Sequence, residues 1–134
     1  MAGINYKNLK VLVVEDESYT RFITRTLLRQ IGVQLIEEAA NGREGLMKAM
    51  DWRPDLVLCD IHMEPVDGFE FIKKLRSHQD QDLRNTPVIF LTADSRRDNV
   101  MIAKQHAANG FLVKPISLIA LKSRLDSVAA PVKA

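Results

Sequence analysis

The chain has 134 residues, 46% of them hydrophobic and 27% charged, with a formal net charge of +2. That length fits one domain with a real core, and the near-neutral balance gives no global pull toward nucleic acid or anionic lipid. Cys59 is the single cysteine, so an intramolecular disulfide is excluded; a small buried core residue in a reducing compartment is expected. The N-terminus has no charged region followed by an apolar one, and no apolar run approaches the ~20 residues of a membrane span. The expectation is a cytoplasmic single domain.

Residues 9–14 contain Val11-Leu12-Val13-Val14, a β-branched run without alternation, as in a strand buried on both faces. It ends at Glu15-Asp16-Glu17. A helix is predicted from about Ser18, with Ile23, Leu27 and Ile31 as its apolar stripe after Tyr19 and Gly32 at the left-handed C-terminal position. Arg21, Arg25 and Arg29 recur on another face, which reads as solvated; docking of a kinase or phosphotransfer partner is the alternative. Residues 33–38 read as a less apolar strand, nearer an edge. Asn41-Gly42 marks a turn, and residues 45–50 a short helix with Leu46, Ala49 and Met50 facing in. Trp52-Arg53-Pro54 breaks that helix, with Trp52 as a loop anchor.

Residues 55–59 form the third predicted strand, which runs into Asp60. Asp67-Gly68 opens a helix carrying Phe69, Ile72 and Leu75, with Phe71 flanking. Residues 77–86 read as a polar loop and 87–91 as the fourth strand, followed by Thr92-Ala93-Asp94. A helix over about 97–108 leads to the fifth strand, 111–113, which ends at Lys114-Pro115. The last helix carries Leu118, Leu121, Leu125 and Val128, and Pro131 ends it. His62, His78 and His106 have no mutual metal-ligand spacing. Five β-then-α units in strict alternation predict a parallel sheet with helices on both faces. Right-handed crossovers then bring all strand C-termini to one edge.

Ligands of open parallel sheets bind at that edge. The residues delivered there are Glu15 and Asp16, Asp60, Thr92 and Lys114. Three carboxylates at one edge repel each other, and at least one is driven toward protonation unless a cation sits among them. An all-oxygen site with few protein ligands suits Mg²⁺. A hard cation beside a carboxylate, with a lysine and a hydroxyl opposite, describes a phosphoryl site with Asp60 as nucleophile.

At these residues the sequence resembles the receiver domain of two-component response regulators, in its stand-alone form related to the chemotaxis regulator. The motifs are Val-Val-Glu15-Asp16, Leu-Cys-Asp60-Ile-His-Met, Asp67-Gly68, Leu-Thr92-Ala93 and Val-Lys114-Pro115. The resemblance implies a flavodoxin-like doubly wound (βα)5 fold with sheet order 2-1-3-4-5 in a receiver domain over residues 8–128. Residues 1–7 and 129–134 would be terminal tails, with no output domain in this chain. It implies Asp60 as phospho-acceptor and metal ligand, and Glu15, Asp16 and the backbone carbonyl of His62 as the other Mg²⁺ ligands. Thr92 would be the switch hydroxyl, Lys114 the phosphoryl-pairing lysine before a cis-proline, and Phe111 the switch aromatic. Three departures stand out. Glu15 occupies a position where Asp is commoner, so its metal contact is direct or through water. Pro65 falls one position later than usual, after Glu64, which should reshape the loop without moving Asp60. His62 and Asp94 occupy the variable positions that tune phosphate lifetime.

The implied function is a single-domain response regulator. A histidine kinase or phosphotransfer protein donates the phosphoryl group. The surface of the fourth predicted helix, fifth strand and last helix then recruits a downstream protein target. A relay intermediate or phosphate sink is the alternative. An aspartyl-phosphate hydrolase of the haloacid-dehalogenase type is disfavoured, because it needs an Asp where His62 stands and a cap insertion. A receiver reduced to a binding module would have lost an acid, the threonine or the lysine. The expectation is therefore a switch and not an enzyme, a monomer or weak phosphorylation-dependent dimer, with no nucleic-acid or membrane partner.

Overall fold

The computed structural model describes residues 5–93 and 107–133. After a 3-10 turn at Tyr6–Asn8, the elements are β1 (Lys10–Val14), α1 (Ser18–Ile31), β2 (Leu35–Ala39), α2 (Gly42–Trp52) and β3 (Leu56–Asp60). They continue with α3 (Gly68–Arg76), α4 (Gln81–Arg84), β4 (Val88–Thr92), β5 (Gly110–Val113) and α5 (Leu118–Lys133). The strands form one parallel sheet in the order β2-β1-β3-β4-β5. The doubly wound architecture and its strand order are as expected. The helix expected over 97–108 falls largely on residues outside those described, and so does Asp94.

Solid apolar runs make the central strands because both faces of the sheet are covered. In β1, Leu12 and Val14 point into one core with Ala49 of α2 and Phe71, Ile72 and Leu75 of α3. Val11 and Val13 point into the other, with Leu28 of α1 and Leu121 and Leu125 of α5. β2 is an edge strand whose residues, apart from Ala39, keep some solvent contact, which explains its weaker apolar pattern. Cys59 lies fully buried in the centre of the sheet, and burial pushes its thiol well above the ordinary range.

Several boundaries and faces differ from the sequence reading. In α1 the inward face centres on Thr24 and Leu28, with Leu27 and Ile31 beside them. A threonine can sit there because its hydroxyl donates to the Thr20 carbonyl at 2.8 Å. Helix α2 begins three residues earlier than expected: Asn41 is its N-cap, accepting from the Glu44 N–H at 2.9 Å. Met50 faces solvent at 46% exposure, not the core. Phe71, not Phe69, is the fully buried ring of α3, and Phe69 meets Phe90 edge-on at 5.4 Å. The polar stretch after α3 contains helix α4, capped by Asp80 and pinned by Leu83 in the core. Helix α5 runs through Pro131, since a proline in a last turn forfeits one backbone hydrogen bond without dissolving the turns before it.

Two anchors hold the ends of the molecule opposite the strand C-termini. Trp52 is the last residue of α2; Lys10 Nζ donates to its carbonyl at 2.8 Å and lies 5.4 Å from its ring. Arg76 donates to the carbonyls of Arg84, Thr86 and Ala107 and to Asn109 Oδ1, tying α3 to the approaches of β4 and β5.

The loop after β3 is closed by the Gly68 N–H, which donates to the Ile61 carbonyl at 2.8 Å. A Cβ on Gly68 would stand 2.4 Å from the Asp60 carbonyl oxygen and 2.9 Å from Ile61 Cα. Both are main-chain atoms, so neither can yield without moving β3. Gly68→Ala is therefore expected to lower stability by about 1–3 kcal/mol. Urea unfolding measures it, and an unchanged midpoint would contradict this packing.

Candidate functional site

The register of the sheet delivers the site. Val14 of β1 lies opposite Cys59 of β3, so Glu15 and Asp60, the next residues, emerge side by side. Asp60 lies opposite Leu91, and Thr92 opposite Val113, so Thr92 and Lys114 come next along the same edge. The Lys114 N–H donates to the Thr92 carbonyl at 2.7 Å, which fixes the start of the turn after β5. All five residues expected at this edge are brought there.

Glu15, Asp60 and Thr92 are buried, and Asp16 is exposed beside them. Oxygens of Glu15, Asp16 and Asp60 lie within 4.8 Å of one another. Lys114 Nζ stands between the two buried acids, 2.6 Å from Glu15 Oε1 and 3.2 Å from Asp60 Oδ1. Its ammonium offsets part of a repulsion that burial would otherwise make severe. For Lys114 itself, burial opposes the charged form, but the hydrogen bond to Glu15 and the charges of Asp60 and Glu15 outweigh it and raise its pKa.

Glu15 is pushed up to about 7. Burial is the largest cause; the hydrogen bond to Lys114 pulls it down, while Asp16 and the charge of Asp60 push it up. Among the described residues, Lys114 is therefore not enough to hold Glu15 at its ordinary value against burial and its two acidic neighbours. The donor set is all oxygen, with one carboxylate open to water, which is the chemistry that suits a small hard divalent cation.

Around this centre, Asp16, His62, Met63, Glu64 and Asp67 line an open cleft of about 490 Å³. The His62 side chain is exposed on its rim. Asp67 caps α3, accepting from the Glu70 N–H at 2.8 Å, so it serves the helix end and not the acidic centre. The bonds before Pro65 and Pro115 are both cis. Phe111 is half-buried in β5, packed against the core cluster that contains Phe90.

Of the arginines of α1, Arg29 is exposed as expected, but Arg21 and Arg25 are not free in solvent. Arg21 donates from Nη1 to the Glu15 carbonyl at 2.7 Å and from Nε to Glu38 Oε1 at 3.3 Å. Arg25 Nη1 donates to Glu38 Oε2 at 2.6 Å. Sequence spacing could not show this, because Glu38 sits on the neighbouring strand and meets α1 only through the crossover.

The fold and this edge agree with what comparison with known proteins returns. The model of the response regulator receiver domain matches residues 11–126, and the chain belongs to that family. It is of the chemotaxis-regulator type. Chemotaxis protein CheY-3 of Vibrio cholerae is 34% identical over 128 residues, covering 96% of this chain and 97% of the relative. Chemotaxis protein CheY of Pseudomonas aeruginosa is 31% identical over 120 residues, covering 90% and 95%. The structure of CheY4 of Vibrio cholerae superposes with a TM-score of 0.81 at 34% identity, covering 90% of this chain and 98% of that one. A structure of the CheX-CheY-BeF3-Mg complex of Borrelia burgdorferi gives 0.83 at 27% identity, covering 93% and 94%.

The raised Glu15 has a stability consequence. A carboxyl whose folded pKa lies above its unfolded value binds its proton more tightly when folded, so stability falls as pH rises from 4.5 toward about 7. In metal-free protein, Glu15→Gln is expected to remove that fall, leaving a variant at least as stable as wild type above neutrality. Denaturation across this pH window checks it; an equal fall in both proteins would place the strain elsewhere.

Proposed function

We propose that the protein is a phosphoryl-accepting switch in which Asp60 takes a phosphoryl group from a phosphohistidine donor, a histidine kinase or phosphotransfer protein. The observation that carries this reading is the placement of Lys114 Nζ between the buried carboxylates of Glu15 and Asp60, beside Thr92. Glu15, Asp16, Asp60 and the His62 carbonyl would hold Mg²⁺. That ion would supply charge neutralisation for the phosphoryl oxygens that a protein of this edge chemistry lacks by itself.

Asp60 is suited to the nucleophile's part. It ends a fully buried strand, so its carboxylate is held still at the mouth of the edge. One carboxylate oxygen attacks phosphorus as the bond from phosphorus to the donor imidazole nitrogen breaks. The bonding pair leaves with that nitrogen, and an acyl phosphate remains on Asp60. Lys114 is placed to exchange Asp60 for a phosphoryl oxygen, and Thr92 to donate its hydroxyl to another.

The new group carries about −1.5 to −2 charge near neutral pH. Drawing Thr92 and Lys114 toward it moves the ends of β4 and β5. Phe111 on β5 is half-buried against the core, and a shift of strand and ring there would alter the surface offered to a downstream protein. The chain is read as a switch and not an enzyme in the turnover sense. The Borrelia relative is seen with BeF3, Mg and a protein partner, which is the pattern of ligands this reading expects here. A terminal switch is favoured over a relay or phosphate sink by the kinship with chemotaxis regulators.

Incubation with acetyl phosphate and Mg²⁺ should add one phosphoryl group, and Asp60→Asn should abolish it. Equal labelling of the variant would end this account. Lys114→Ala is expected to fold and to accept phosphate, but to lose the shift of Phe111 resonances that follows phosphorylation in wild type. An undiminished shift would remove Lys114 from the switch.

A further inference from the structure

Arg21, in the arginine stripe of α1, makes contacts that neither a solvated face nor a docking face describes. We propose that Arg21 is a positioning residue for the acidic pocket, holding the Glu15 main chain so that the Glu15 and Asp16 carboxylates are presented to the cation. The proposal rests on the reading of that pocket as a divalent-cation site.

Glu15 lies where the chain leaves β1 and turns toward α1, with no strand partner beyond it to fix its peptide planes. Two contacts do so. Its N–H donates to the Ala39 carbonyl at the end of β2, at 2.9 Å. Its carbonyl accepts Arg21 Nη1 at 2.7 Å. The side chain then leaves toward Lys114, while its second oxygen accepts the Glu17 N–H at 3.2 Å. Arg21 therefore grips the peptide that joins the two acids.

Arg21 is itself oriented. Its Nε meets Glu38 Oε1 while Arg25 takes Glu38 Oε2, so one carboxylate of β2 sets the plane of the guanidinium. A planar fork can serve Glu38 and the Glu15 carbonyl at once; an ammonium offers a point charge and no such plane. Arg21 is 20% exposed and Glu38 28%, so the group is partly shielded from solvent. The Arg21 N–H also donates to the Glu17 carbonyl at 3.0 Å, closing the first turn of α1 behind Glu15-Asp16-Glu17.

Charge and positioning make opposite demands, which gives the proposal a decisive sign. Arg21 is a cation near a site for cations. If it acted only through its charge, removing it would tighten metal binding. If it positions Glu15 and Asp16, removing it weakens binding.

The test uses Mn²⁺ as the probe, with affinity read by electron paramagnetic resonance on the full chain. Arg21→Met is expected to weaken Mn²⁺ binding roughly tenfold, the lower end of what loss of a residue supporting a metal ligand costs. Arg21→Lys should recover part of that loss. Glu38→Gln should weaken binding less, and the double variant R21M/E38Q no more than R21M alone, because the two act through one guanidinium. Amide resonances of residues 15–17 in the metal-free protein should move in R21M. Unchanged or tighter Mn²⁺ binding in R21M overturns the proposal while leaving the pocket assignment standing. Absence of Mn²⁺ binding by wild type overturns both. Should R21M fail to fold, Glu38→Gln decides, and an affinity equal to wild type overturns the proposal.

Discussion

The structure depends on a conflict of charge at one edge of a buried sheet. Parallel strands covered on both faces have to end somewhere, and here β1 and β3 end at carboxylates that are themselves buried. Lys114, delivered by β5, is the local answer: an ammonium 2.6 Å from one acid and 3.2 Å from the other. Among the described residues it is one cation beside three acids, and Glu15, pushed up to about 7 by its burial first and then by Asp16 and Asp60, is not fully relieved by it. An incomplete neutralisation of this kind costs stability, and it also creates demand for a further cation and makes Lys114 a group with more than one possible partner.

The rest of the fold serves to hold that conflict in place. The central strands are set by apolar packing on both faces, so Asp60 and Thr92 have little freedom beyond their side-chain rotamers. The loop after Asp60 is closed by the Gly68 N–H, and Asp67 caps the helix that follows it. Glu15 is less securely placed by its strand, since it follows the last paired residue of β1. Contacts from β2 and α1 complete it. Strand ends fixed by the core, with Glu15 held by contacts from β2 and α1, suit the proposed metal and phosphoryl site.

Much of this was legible in the sequence because the determinants are local. Runs such as Val11-Leu12-Val13-Val14 and Val88-Ile89-Phe90-Leu91 announce buried strands, and their termination at Glu15 or Thr92 follows directly. The motifs around Asp60, Thr92 and Lys114 led to the family, and through it to the strand order. What escaped was the product of contacts between distant segments. Thr24 sits in the core because a carbonyl one turn back satisfies it, which an apolar count discards. Helix α4 is nearly all polar, and its signals were a cap at Asp80 and one buried leucine. Arg21 and Arg25 looked solvated because Glu38 is 17 residues from Arg21 in sequence yet beside it in space.

The account turns on Asp60 as the residue that carries the phosphoryl group. The most direct measurement is to phosphorylate the protein with acetyl phosphate and Mg²⁺, reduce the acyl phosphate with borohydride, and locate the resulting homoserine by peptide mass spectrometry. Homoserine at position 60 alone is the predicted result. Homoserine at position 16 or 67, or none in a protein that has taken up phosphate, would contradict it.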